Sequence, residues 1–206
     1  MVGWERFGRA RPGAAHSAIA RLEASGVVTG IITQNVDRLH HAAGGHRVIE
    51  LHGALAEVVC LGCAALEDRD AVQTRMREAN AGWLDEASLA PDGDADLADE
   101  VIATFVPPAC LRCGGPLKPR VVFFGDNVPR PVVDEAFGLV DDAGALLVAG
   151  TSLAVFSGYR FLRRAVERGI PIAIVNRGPV RGEEHAALKL EASTGAVLEE
   201  LASLLA

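Results

Sequence analysis

The chain holds four cysteines, and their spacing constrains its fold more than any other feature. Cys60 and Cys63 form one Cys-x-x-Cys pair, Cys110 and Cys113 a second, with residues 64–109 between them. Two such knuckles supply four thiolates, the donor set of a closed tetrahedral Zn²⁺ site. A closed site holds a fold and does no chemistry, because no coordination position is left for substrate. Two disulfides, a redox pair or four buried thiols are the alternatives. The opening Met1-Val2-Gly3-Trp4-Glu5-Arg6 has no basic flank followed by an apolar stretch. No secretory signal is read there, so structural zinc is the expectation, in a cytoplasmic protein. The gap is wider than in a zinc ribbon, so the intervening residues must form a lobe of their own.

Around that lobe the pattern is α/β. Pro12 to Gly26 reads as a helix with Ala15, Ile19 and Leu22 on one face, and Val27–Thr33 as a buried strand. Sheet texture returns at Val121–Phe124, Ala145–Ala149 and Pro171–Val175, with an amphipathic helix over Ser157–Arg168 and a last helix near Ala196–Leu205. Strands alternating with helices of this length predict a Rossmann-like, doubly wound parallel sheet with a small inserted zinc-binding lobe. The expected division is 1–56 with 121–206 for the larger domain and 57–120 for the lobe. Within the lobe Asp92, Asp94, Asp96, Asp99 and Glu100 read as a solvated acidic loop. With 50% hydrophobic residues the chain can bury a core, and no apolar run is long enough for a membrane span. A net charge of -7 argues against nucleic acid as a partner.

Ligands of open α/β sheets bind outside the carboxyl ends of the strands, so polar residues there are the candidates. Gln34, Asn35, Val36 and Asp37 follow the first strand, although Asp37 is equally suited to cap a helix beginning near Arg38. His52 ends a short strand and is the candidate general base, with Gly53 leaving room for its ring to face a cleft. Gly150-Thr151-Ser152 and Asn176-Arg177-Gly178 follow two later strands, where they suit either ribose and phosphate contacts or plain turns.

In order, Thr33-Gln34-Asn35-Val36-Asp37, Leu51-His52-Gly53, the two Cys-x-x-Cys pairs, Phe124-Gly125, Gly150-Thr151-Ser152 and Asn176 resemble the sirtuins, NAD-dependent protein deacylases. Leu117–Pro129 and Val155–Phe161 look like the class II branch; other branches usually carry a proline in the second stretch. The resemblance implies removal of an acyl group from a protein or peptide lysine, with nicotinamide and O-acyl-ADP-ribose as products. It implies His52 as base on the ribose hydroxyls, and Gln34, Asn35, Val36 and Asp37 around the nicotinamide ribose. On the adenosine half it implies Gly150, Thr151, Ser152, Asn176, Arg177, Gly178 and Thr194. Val122 and Phe124 would wall the acyl-lysine channel, and the peptide would lie as an added strand. The family's Gly-Ala-Gly-x-Ser loop, which wraps the NAD pyrophosphate, has no counterpart in these residues. Weak NAD binding and impaired turnover are therefore expected of the 206 residues. A noncatalytic, zinc-containing peptide-binding module is the alternative.

Overall fold

The computed structural model describes residues 2–83, 88–89, 95–96 and 99–206. Helix α1 (Val2–Phe7) is followed by α2 (Ala14–Ala24), β1 (Ile31–Thr33), α3 (Leu39–Ala42) and β2 (Val48–Glu50). Then come β3 (Gly53–Cys60), β4 (Leu66–Asp68), α4 (Arg69–Ala79), β5 (Ser88–Leu89), β6 (Ala95–Asp96), α5 (Asp99–Ala103) and β7 (Leu117–Val121). The chain ends with α6 (Arg130–Asp142), β8 (Leu146–Ala149), α7 (Phe156–Arg168), β9 (Ile172–Val175), β10 (Leu188–Leu190) and α8 (Thr194–Leu205). It divides into two compact units, one of Met1–Ala10 with Gly53–Val121, the other of Arg11–His52 with Val122–Ala206.

The larger unit is the parallel α/β part. β1 pairs parallel with β2, Ile31 opposite Val48 and Thr33 opposite Glu50. β8, β9 and β10 form a second parallel set in the order β10-β9-β8. Their β-branched and leucine side chains pack against α6 and α7 in one core of Ile49, Leu51, Leu139, Val148, Phe161, Leu162 and Ile174. Burying each such side chain contributes about 1.5–3 kcal/mol. On the other side α2 lies against α8 through Ala18, Leu22, Leu198 and Ala202. α7 ends at Gly169, whose φ of +66° is the left-handed turn that stops a helix.

Two expected strands are corrected. Val27 and Val28 do not enter β1, because both of their amides donate to the Leu22 carbonyl, at 2.9 and 3.0 Å, and finish the end of α2. The strand expected over Val121–Phe124 lies earlier, at Leu117–Val121, and is antiparallel to β3. Beyond it Phe123 and Phe124 are 50% and 99% exposed.

In the smaller unit β3 is the central strand of an antiparallel set ordered β4-β3-β7. α4 packs on β3 through Val58, Val72 and Met76. Its start is capped by Asp68, whose carboxylate accepts the amides of Asp70 and Ala71. Buried Asn80 donates to the carbonyls of Met76 and Val106 and accepts the Val106 amide at 2.7 Å. Those bonds fix the chain returning from α5. The first ten residues belong to this unit and not to the larger one, because the Trp4 indole N–H donates to Asp70 at 2.7 Å and Glu5 pairs with Arg77. Of the acidic run, Asp92 and Asp94 lie outside the described residues.

Gly53 has a backbone reason to be glycine. Its φ is +76°, and a Cβ there would sit 2.1 Å from the Arg120 carbonyl oxygen on β7. The room it provides is for main chain, not for the His52 ring. Gly53→Ala is expected to lose more than the ~1–2 kcal/mol of a left-handed residue, because the clash adds to it. A urea unfolding midpoint equal to that of the wild type would contradict this.

Candidate active site and metal centre

The thiols converge within the smaller unit. The four Sγ atoms of Cys60, Cys63, Cys110 and Cys113 lie within 4.8 Å of one another. Cys60 and Cys113 are 3.5 Å apart, Cys63 and Cys110 3.8 Å. Tetrahedral zinc with Zn–S bonds of about 2.3 Å implies S···S edges of about 3.8 Å, so the donor set fits the ion. Each knuckle turns an amide onto its first sulfur, Gly62 N–H to Cys60 at 3.3 Å and Arg112 N–H to Cys110 at 3.4 Å. Burial pushes the Cys60 thiol up, but the amides of Cys63 and Gly62 and the thiols of Cys113 and Cys110 outweigh it. Cys60 comes down to about 7.

In the larger unit the carboxyl ends of the parallel strands carry a connected polar cluster. His52 is half-buried. Its Nδ1 lies 3.1 Å from the Gln34 carbonyl and its Nε2 2.8 Å from Ser157 Oγ. A carbonyl only accepts, so Nδ1 carries the hydrogen in the neutral ring, and the Nε2 lone pair accepts from the Ser157 hydroxyl. Burial lowers the His52 pKa from 6.5, opposed by the bond to the Gln34 carbonyl. A neutral imidazole with its lone pair turned toward a hydroxyl is the state a general base requires. The Gln34 side chain donates to Thr151 Oγ1 at 3.2 Å, and the same oxygen accepts the Leu153 amide.

The other candidates divide between this cluster and local turns. Gly150 has φ +64°, and a Cβ there would stand 3.5 Å from Thr194 Oγ1. The turn thus lies beside Thr194. Asn176 is buried and gives its side-chain N–H groups to the carbonyls of Arg177 and Gly178, the bonding of a turn. Asp37 Oδ1 accepts the Leu39 amide at 3.0 Å at the start of α3. Asn35 and Ser152 are exposed, and Val36 partly so. The Val122 amide donates to the His52 carbonyl at 3.0 Å, while Phe124 stands in solvent. The sequence reading missed Ser157 as a member of the cluster. No signal near it in sequence pointed to His52, since the bond joins residues 105 positions apart. Gly158 is the second omission, since a Cβ there would sit 2.7 Å from the Gln34 carboxamide.

A family model described as "Sir2 family" matches residues 3–157. An NAD-dependent protein deacetylase of Xanthomonas campestris pv. campestris (strain 8004) is 51% identical over 199 residues, 96% of this chain and 68% of that protein. NAD-dependent protein deacetylase 1 of Streptomyces coelicolor is 49% identical, over 99% of this chain and 69% of that protein. Among solved structures, a Sir2 complex with a p53 peptide and NAD+ superposes with a TM-score of 0.78 at 30% identity. It covers 97% of this chain and 72% of the other. Sir2 bound to an acetylated peptide matches with a TM-score of 0.79 at 29% identity, over 97% and 73% of the two chains.

The metal prediction follows from the sulfur geometry. The purified chain should carry one zinc, and Cys110→Ser should lose it together with the fold of the cysteine-bearing unit. Structural zinc contributes about 10–16 kcal/mol in peptide systems, far more than such a unit could otherwise spare. Elemental analysis together with circular dichroism before and after chelation checks it, and a zinc-free, fully folded wild type would overturn it.

Proposed function

Since this chain belongs to the Sir2 family, we propose that it is an NAD-dependent protein lysine deacylase, releasing nicotinamide and O-acyl-ADP-ribose, with His52 as its general base. The observation that carries the reading is the bond pattern at His52, a half-buried imidazole whose Nδ1–H is engaged and whose Nε2 faces a hydroxyl. NAD, when bound, supplies the electrophilic ribose carbon and the hydroxyls that must lose a proton. His52 Nε2 would be the atom that receives that proton, with the electron pair left on the oxygen that gave it up. The Gln34 carbonyl supports the resulting imidazolium through Nδ1–H. The Gly150 turn with Thr151 and Thr194 is assigned to the adenosine half, supported by its place at the carboxyl end of β8 and its closeness to Thr194. Ser152, Asn176, Arg177 and Gly178 complete that edge of the sheet.

Gln34, Asn35, Val36 and Asp37 are assigned to the nicotinamide ribose and carboxamide, supported by their place at the carboxyl end of β1. Val122 and exposed Phe124 offer apolar surface for the acyl chain and the substrate peptide. The four cysteines hold zinc as a structural ion, and thiolate ligation suits a reducing cytoplasm.

In a version of the chain that binds NAD, His52→Ala should lower deacylation about 10²–10⁴-fold while NAD binding, read by calorimetry, is retained. Turnover near that of the wild type would remove His52 as the base. Burial holds the His52 pKa below its ordinary 6.5, so the active neutral form persists as pH falls through that value. The acid limb of kcat/KM should have its midpoint below 6.5. A midpoint above it would mean that another group is titrating.

A further inference from the structure

We infer that Ser157 is the positioning residue of the base, holding the His52 imidazole by its Nε2 edge, in a role that rests on the assignment of His52 as general base. Ser157 is the second residue of α7 and is buried, with 9% of its surface exposed. Capping of free amides falls to the residue before a helix, which for α7 is Val155, so the Ser157 hydroxyl is left for a distant partner. That hydroxyl lies 2.8 Å from His52 Nε2, on a residue 105 positions away in sequence.

The surroundings show that this placement is built. The ring is held at both nitrogens, by a main-chain carbonyl on one and a hydroxyl on the other. Gly158, next to Ser157, lets the first turn of α7 come against the Gln34 carboxamide, where any side chain would collide at 2.7 Å. Thr151 then fixes that carboxamide from the other side at 3.2 Å. One helix turn thus contacts His52 directly and, through Gln34, the residue whose carbonyl sets the His52 tautomer.

A hydroxyl suits this position because it is both donor and acceptor. Facing neutral His52, Ser157 donates its hydrogen to the Nε2 lone pair. Because Nε2 has one lone pair and Ser157 Oγ occupies it, a substrate hydroxyl reaches Nε2 only when the Ser157 side chain turns about χ1 and Oγ vacates that position, returning once the proton has moved. Once Nε2 has taken the proton, Nε2–H donates to Ser157 Oγ, and bonds to a charged donor are the stronger kind. Ser157 neither gains nor loses a proton overall. It keeps the ring in one plane and supports the imidazolium in a site whose burial disfavours it.

The test compares Ser157→Ala, Ser157→Thr and His52→Ala with the wild type, each checked for folding by circular dichroism. Alanine is the better helix former, so loss of α7 is not expected from that change. Ser157→Ala should lower kcat about tenfold, the scale of one hydrogen bond, with the KM for NAD within about twofold. Ser157→Thr, which keeps the hydroxyl, should recover most of the loss. Independently of turnover, ¹⁵N NMR of the imidazole without NAD should show the His52 Nε2 resonance moving toward that of an unbonded ring nitrogen in Ser157→Ala. It should not move in Ser157→Thr. If His52→Ala is inactive while Ser157→Ala keeps both wild-type kcat and the wild-type Nε2 resonance, the positioning role is wrong and the base assignment stands. If His52→Ala remains active, the base assignment itself fails, and the positioning role with it.

Discussion

The register of one parallel strand pair decides where the chemistry can be. Thr33 lies opposite Glu50, and the Leu51 amide donates to the Thr33 carbonyl at 2.9 Å, so the ladder extends one residue past β2. Leu51 drops into the core, leaving His52 to leave the sheet at the same edge as Gln34. Their meeting at 3.1 Å follows from that pairing. Because the side-chain period of a strand is two, a slip of one residue would put Leu51 outside and His52 into the core. The hydrophobic demand for Leu51, which is 1% exposed, therefore also fixes the orientation of His52.

A cluster of this kind survives partial burial because its polar groups are paired. Thr33 is buried and its hydroxyl accepts the Asn35 amide, while Ser157 and Asn176 are buried and each is bonded as well. Unpaired groups in such places would each cost about 1–3 kcal/mol. Paired, they make a rigid rim at the carboxyl ends of β1, β2, β8 and β9. His52 is paired at both nitrogens as well. Its burial disfavours the charged ring, which keeps a proton acceptor available at neutral pH.

Features set by local spacing were legible in the sequence. Cys60, Cys63, Cys110 and Cys113 could be paired by inspection, because each knuckle is a four-residue turn whose geometry depends little on the rest of the chain. Strands β8 and β9 were legible because buried parallel strands need continuous apolar runs. What failed depended on partners distant in sequence. Val27 and Val28 look like strand, but their amides close α2. Gly53 was read through the ring beside it, whereas the carbonyl that demands it is on Arg120. Trp4 showed no sign that its partner would be Asp70. Ser157 belongs to the same class, since nothing near it in sequence indicates that its hydroxyl meets residue 52.

The two anchors of His52 differ in what substitution can do to them. The Nδ1 partner is the main-chain carbonyl of Gln34, which every residue type supplies, so the tautomer is set by the fold as long as β1 and β2 keep register. The Gln34 side chain can change without removing that bond, though its packing against Gly158 and Thr151 limits the choice. The Nε2 partner is a side chain, present at Ser157 only because that residue carries a hydroxyl. A fold-encoded bond thus decides which nitrogen acts as the base, and a sequence-encoded one governs how firmly that nitrogen is held. The first anchor therefore depends only on strand register, while the second depends on the position of α7.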